Sequence, residues 1–306
     1  MGSCFAEVIG SRLSDNKIPT LNNPFGTLFH PISITKLIRQ SLTDAPPDEN
    51  LYAEHQGTWF HYDFHSSLWG PSKEVLAERL IHTMRGVKEW LQKTDFLILT
   101  LGTAFGYRHL ETDGIVANCH KMPGHLFRKE LLSVEIITEE VEKVFRQINN
   151  RESKVNILLT VSPVRHIKDT LPLNAVSKSI LRVVCHQLCE SLPECHYFPA
   201  YELLLDDLRD YRFYKPDLIH PSETAEEYIF EKFAAACFEP ALQQFLAEWK
   251  KIRAALAHRP LQPYTSAHRK FLENLLEKLQ ILSERVATAA EIESVQCRLN
   301  DFPASF

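Results

Sequence analysis

No window of this 306-residue chain approaches 18 consecutive apolar residues, so no membrane span is expected. The first residues have neither the basic stretch nor the apolar stretch of a secretion signal, which makes a cytoplasmic location the expectation for the chain as given. Basic runs are missing too. Lys and Arg number 34 against 39 Asp and Glu, for a net charge of −5 and a pI near 6.3. Without interleaved basic and aromatic residues, a nucleic-acid partner is excluded. Paired CxxC motifs are absent. The seven cysteines are odd in number and scattered over positions 4, 119, 185, 189, 195, 237 and 297, so no disulfide framework is expected. In "CHQLCESLPEC", buried thiols on a helix are favoured over a zinc site. Internal repeats and low-complexity tracts are lacking as well.

What is present is ordinary globular composition, 44% hydrophobic and 24% charged, enough for one large domain with an added helical piece. Apolar residues at Phe5, Val8, Ile9 and Leu13 mark a helix that begins right after Gly2 and Ser3. "SITKLIRQSL" predicts a second helix with Ser33 as its N-cap. "GTWFHYDFHSSLWG" alternates and is aromatic, the pattern of a hairpin or extended strand. The amphipathic run "SKEVLAERLIHTMRGVKEWLQKT" precedes "DFLILTLG", a strand buried on both faces. Helix "SVEIITEEVEKVFRQINNRE" then leads to a second such strand, "KVNILLTVSP". Helix "LNAVSKSILRVVCHQLCESL" leads to a third, shorter one in "CHYFPAYELLL", and "SETAEEYIFEKFAAACF" is helix again.

This alternation predicts an α/β fold with a doubly wound parallel sheet over residues 1–240. Residues 241–306 read as helix only, interrupted by "HRPLQPYTSAH". They are expected to form a C-terminal helical hairpin whose apolar stripes pack on itself, on the domain, or on a second copy in a homo-oligomer. In such sheets reactive groups lie past the carboxyl ends of strands. "GSCFA" has the form of a strand end turning into a helix, yet only Met1 precedes it. The expectation is a sheet lacking its first strand, with the natural domain starting upstream.

Two reactive side chains, Ser3 and Cys4, stand side by side at that turn. Far along the chain, Asp217 and His220 stand three apart just before a helix. A DxxH turn can aim an imidazole at a nucleophile while the carboxylate orients the ring through its other nitrogen; Ser222 can cap the following helix at the same time. His61, Asp63 and His65 would share one face of a strand. Exposed strand polar residues are favoured there over a metal set.

Six ordered blocks carry a further signal: "GSCFA", "NNPFGTLFHP", "LTLGTAFGY", "NCHKMPG", "TVSPVRH" and "YFPAYELLLDDLRDYRFYKPDLIHPS". Over residues 1 to about 240 the chain resembles the GSCFA-domain family, related to the SGNH (GDSL-like) hydrolases. The resemblance implies a flavodoxin-like three-layer α/β/α fold, no metal and no cofactor. Its Gly-Asp-Ser turn, read without a gap, puts Cys4 in the nucleophile's place and Ser3 where aspartate stands. Its DxxH maps onto Asp217 and His220. Gly26 of "NPFG" is the candidate for the oxyanion-hole glycine. Gly102 matches the glycine of the third block, but Ala104 takes its asparagine place, so one oxyanion donor is missing. Asn23, or Asn118 and His120, are the candidate replacements. Arg165 and His166 are candidate pocket residues, and Asp210, Arg212 and Tyr214 could brace the histidine loop. The nucleophile stays open between Cys4 and Ser3, as does a plain structural role for Cys4. A thiolate at a helix N-terminus beside a histidine is expected to have a lowered pKa.

The resulting expectation is an esterase or acyltransferase acting on a small-molecule or carbohydrate acyl ester. The rival is a non-catalytic binding module that keeps the pocket for a glycan or a partner.

Overall fold

The long apolar runs become the sheet. In the computed structural model, which describes residues 1–152 and 154–303, the elements follow in this order: α1 (Cys4–Asp15), α2 (Pro31–Leu42), β1 (Tyr52–His55), β2 (Thr58–His61), α3 (Lys73–Lys93), β3 (Phe96–Leu101), β4 (Phe105–His109), β5 (Ile115–Val116), β6 (Phe127–Leu131), α4 (Val134–Ile148), β7 (Asn156–Val161), α5 (Leu171–Ser191), β8 (Cys195–Tyr197), the single turn α6 (Ala200–Glu202), α7 (Glu223–Cys237), α8 (Pro240–Ala257), α9 (Ser266–Leu282) and α10 (Ala289–Asn300). The chain divides into two units. Met1–Ser11 with Thr20–Glu231 form one; Arg12–Pro19 with Lys232 onward form the other.

The first unit is α/β. Strands β3, β7 and β8 form a parallel sheet in that order, flanked by helices. Phe96 pairs with Asn156 and Leu101 with Val161; Ile157 pairs with Cys195. Helices make the parallel crossovers because adjacent parallel strands cannot be joined by a short turn. Leu97, Leu99 and Leu101 of β3 and Ile157, Leu159 and Val161 of β7 point to one core. α3 adds Leu76, Leu80, Met84, Val87 and Leu91; α4 adds Ile137, Val141, Val144, Phe145 and Ile148. These are helical spacings, and each large side chain buried there contributes roughly 1.5–3 kcal/mol. Ser72 and Ser133 start these two helices by accepting the N–H groups of Val75 and Ile136.

Beside β3 runs the start of the chain. The Met1 amine donates to Ile98 O (2.7 Å), Thr100 N–H to Met1 O (3.0 Å) and Ser3 N–H to Thr100 O (3.1 Å). Met1 and Gly2 thus lie parallel to β3, in the place of the strand expected ahead of the turn. On their other side Leu28 N–H donates to Gly2 O (2.9 Å).

Several local expectations need correction. The cap of α2 is His30, whose Nδ1 accepts Ile32 N–H at 3.2 Å; Ser33 lies inside the helix and is buried. Pro31 sets this start, since a proline in the first helical turn has no N–H to leave unbonded. The aromatic segment does contribute a hairpin, β1 with β2, turning at Gln56–Gly57. Its strand ends at His61, however, and His61 and Asp63 are buried rather than exposed. Asp63 binds Lys36 (2.7 Å). Residues 105–131 hold a further, three-stranded antiparallel sheet, β5-β4-β6, absent from the expected alternation.

From residue 240 on, three helices among the described residues, α8, α9 and α10, take the place of the expected hairpin. The run from 267 onward breaks at Ser283, and α10 begins after Thr288, whose Oγ1 donates to Leu279 O (3.1 Å). Phe245, Trp249, Ile252, Leu272, Leu275, Leu279, Leu282 and Val295 make its core. Trp249 Nε1 donates to Asp15 O (2.8 Å), and Lys17 pairs with Glu291 (2.6 Å). No helix among the described residues is long and apolar enough to cross a membrane.

Candidate functional site

The turn Gly2–Cys4 is fixed by steric need. Gly2 has φ +137°, and a Cβ there would lie 2.2 Å from Thr100 O, so no other residue fits without displacing β3. Ser3 is fully buried, and its Oγ accepts Phe5 N–H (3.3 Å), a capping contact for α1. Cys4, the first residue of α1, is partly exposed. Its thiol pKa is raised by burial, which outweighs the opposing hydrogen bond from its own backbone, with a smaller raise from Glu7. That reverses the expected lowering: desolvation outweighs the helix terminus here.

The second block supplies the partner of this turn. Asn23 Oδ1 accepts Gly2 N–H (2.9 Å). Asn23 itself sits at φ +39°, in a tight turn closed by Gly26 N–H donating to Asn23 O (2.7 Å). Asn23 Nδ2 is buried without a hydrogen-bond partner. Gly26, at φ +74°, lies against His65, 2.3 Å from where its Cβ would be.

Both glycines assigned to the oxyanion hole have their amides taken. Gly26 N–H goes to Asn23 O, as above, and Gly102 N–H goes to Phe29 O (2.8 Å). Ala104 is fully buried, and its N–H donates to Ser177 Oγ (2.8 Å). Near the turn, Asn23 Nδ2 has no hydrogen-bond partner, and the N–H of Cys4, a first-turn helical amide without an intrahelical acceptor, faces its own thiol.

Asp217 and His220 form the expected pair. His220 Nδ1 lies 2.7 Å from Asp217 Oδ2, while Asp217 Oδ1 accepts the N–H groups of Ile219 (2.9 Å) and His220 (3.0 Å). Those bonds, the His220 N–H first, lower the Asp217 pKa to about 2. A carboxylate ionised over the whole working range keeps the proton on Nδ1 and turns the Nε2 lone pair outward. The loop is clamped by Arg165, whose N–H donates to Ile219 O (3.2 Å) and whose Nη1 donates to Leu218 O (3.2 Å). The Arg165 guanidinium stacks 4.0 Å from the Tyr214 ring centroid. Asp210 accepts Arg212 N–H and so shapes the 211–213 turn. Ser222 accepts Ala225 N–H (3.4 Å) at the start of α7.

A chain of neighbours links the two halves. His166 lies edge-on to Phe29, ring centroids 5.3 Å apart. Its pKa falls to about 4, first through burial and then through Lys178, Lys129 and His220. Phe29 O takes the Gly102 amide, and neighbouring Leu28 binds Gly2. Among the described residues neither Ser3 nor Cys4 is hydrogen-bonded to His220, whose Nε2 makes no hydrogen bond.

Asn118 and His120 belong elsewhere. Asn118 Nδ2 donates to Ser66 Oγ (3.2 Å), and its Oδ1 accepts His120 N–H (2.9 Å). His120 is buried, stacked on Phe60 and bonded to His61 O (2.9 Å). They fasten the 117–121 segment to the β2 end, and no hydrogen bond among the described residues joins them to Cys4, Asn23 or His220. No group of three or more His, Cys, Asp or Glu that could hold a metal is found among the described residues.

Sequence reasoning missed one feature. On α5, Asn174, Ser177 and Lys178 are buried polar residues at i, i+3 and i+4. Asn174 Oδ1 accepts His166 N–H (2.9 Å), and Ser177 holds Ala104 and Thr103. Three polar residues on one helical face adjoining apolar Leu181, Val184 and Leu188 were the available signal.

Against known proteins, the family described as "GSCFA family" matches residues 1–233. "GSCFA domain protein, C-terminal domain" matches residues 249–301. Neither a curated protein nor a solved structure matches the chain.

Proposed function

We propose that this chain, which belongs to the GSCFA family, is an esterase or acyltransferase acting on an O-acyl group of a carbohydrate or small metabolite, in the manner of SGNH hydrolases. The observation that carries the reading is the Asp217–His220 pair, with an ionised carboxylate on Nδ1 and an unbonded Nε2. Cys4 is the nucleophile in this reading, because Ser3 is buried and already engaged with Phe5 N–H. With its pKa raised, Cys4 rests as a thiol, so His220 must act as a general base during attack rather than sit in a preformed ion pair. Closure of the pair on substrate is required, and catalytic hydrogen bonds often tighten only then.

In the first step Sγ attacks the ester carbonyl and its proton passes to His220 Nε2. The tetrahedral oxyanion is held by the Cys4 N–H and Asn23 Nδ2. Collapse expels the alcohol, which takes the Nε2 proton, and leaves a thioester. Water or an acceptor hydroxyl, deprotonated by His220, then attacks the thioester; the C–S bond breaks, the acyl group leaves on the new oxygen, and the Nε2 proton returns to the Cys4 sulfur. None of these roles comes from 241–306, taken here as a separate helical extension of the 1–240 domain.

The test is turnover of p-nitrophenyl acetate, with acetylation of Cys4 followed by peptide mapping. Cys4→Ala and His220→Ala should abolish turnover, and Ser3→Ala should retain turnover in whatever fraction folds. Turnover that survives Cys4→Ala and is lost in folded Ser3→Ala would make Ser3 the nucleophile. A specific observation favours the rival binding module: the Gly26 and Gly102 amides are occupied and Ala104 is buried. No turnover of any acyl ester together with saturable glycan binding would establish that alternative.

A further inference from the structure

Lys178 is 1% exposed, in the third turn of α5. Its Nζ donates to Gly102 O and to Ser162 O, each at 2.7 Å. Gly102 is the first residue after β3 and Ser162 the first after β7. One amine therefore fastens the carboxyl ends of the two central strands at the level where their loops leave for the site.

Both loops lead to groups used above. The Gly102 and Thr103 amides are bonded to Phe29 O, next to Leu28, which binds Gly2. Beyond Ser162, Val164 N–H returns to Ser162 Oγ (3.3 Å), Arg165 clamps Leu218 and Ile219, and His166 is held by Asn174. A lysine used only to fill a core would be an improbable choice, since a buried ammonium is strongly penalised. Here no carboxylate pairs with it among the described residues, and its two acceptors are neutral carbonyls, a number that a neutral amine with two N–H groups satisfies in full. The groups facing it are His166 from the loop after β7, Tyr201 of α6 with its ring centroid 5.8 Å away, and Arg182, Glu202 and Asp206, which share with it the lining of a hollow of about 380 Å³.

We infer that Lys178 is a positioning residue, whose amine sets the loops after β3 and β7 and thereby the placement of the Asp217–His220 turn relative to Cys4. The inference rests on the acyl-transfer reading of that site. Misplacing a reacting group by about 1 Å can cost about 10²-fold.

The full chain is compared with Lys178→Met, which keeps the volume and removes the donors, and with Lys178→Ala with and without ethylamine. Amide hydrogen exchange reads the loops, and p-nitrophenyl acetate reads turnover. In Lys178→Met, the amides of 102–104, 162 and 164–166 should exchange at least ~10-fold faster while the sheet stays protected; kcat should fall ~10- to 100-fold with KM within ~2-fold. Ethylamine should restore both readings in Lys178→Ala. Unchanged loop exchange, absence of amine rescue, or faster exchange with undiminished kcat would each overturn the inference. If Lys178→Met does not fold, Lys178→Ala is prepared in ethylamine and measured before and after dialysis. Exchange that then rises everywhere together makes Lys178 a general core residue and also overturns it. A parent without any turnover refutes the acyl-transfer reading separately, and loop exchange with amine rescue then decides whether Lys178 sets the loops.

Discussion

Asn23 offers the sharpest single test, because its two side-chain ends have different duties. Oδ1 accepts Gly2 N–H at 2.9 Å, and Nδ2 is buried with no partner. Asn23→Ala removes both. Leaving Gly2 N–H unpaired costs about 1–3 kcal/mol, and placing alanine at φ +39° adds about 1–2 kcal/mol, so the protein should lose roughly 2–5 kcal/mol of stability. Loss of an oxyanion donor should lower kcat by about 10²- to 10³-fold, equivalent to about 2.7–4 kcal/mol. Asn23→Asp separates the two effects: it keeps an acceptor for Gly2 and replaces the donor by a carboxylate that repels a developing oxyanion. Its urea midpoint should also fall, because a carboxylate oxygen is then buried where Nδ2 had no partner; in the folded fraction, p-nitrophenyl acetate turnover should fall at least as far as in Asn23→Ala. A folded Asn23→Asp that keeps kcat within ~3-fold of the parent would refute the role of Nδ2, whatever the stability data show.

The Cys4 thiol, raised by burial, should react slowly with iodoacetamide at neutral pH, its rate rising through a midpoint above the ordinary thiol value; peptide mapping across a pH series checks this, and a midpoint below about 8.5 contradicts it. Burial lowers the Lys178 pKa from 10.5 to about 7. Between those values the unfolded chain binds a proton that the folded chain does not, so folding stability gains as pH rises. Relative to Lys178→Met, the parent should therefore gain on the order of 4–5 kcal/mol between about pH 7 and pH 10.5, read from urea midpoints; equal pH slopes in the two proteins would show that the amine is not buried as described. Gly2→Ala, whose Cβ would meet Thr100 O at 2.2 Å, should cost more than about 3 kcal/mol in thermal unfolding, and a loss below about 1 kcal/mol would mean the Met1–Ser3 segment is not seated beside β3.

Much of the α/β architecture was written in local pattern. The apolar runs of β3 and β7 and the helical spacing of α3 and α4 need no knowledge of distant residues, because periodicity follows from backbone geometry alone. The Asp217–His220 pair was legible for the same reason: three residues of turn bring an imidazole onto its own carboxylate. The sheet β5-β4-β6 was not, since a strand as short as Ile115–Val116 has no period to read and exists only through its pairing with β4. Other properties were decided by residues from other segments of the chain. Gly102 lost its amide to Phe29, Ala104 was drawn against Ser177, and Lys178 was buried on carbonyls at the ends of two strands. Cys4 looked in sequence like a thiol at a favourable helix end, but its pKa is set by how much water reaches it. The sequence could place the chemical groups along the chain; which of their hydrogen bonds were still free, and which charges burial would suppress, depended on packing between segments that only the tertiary structure brings together.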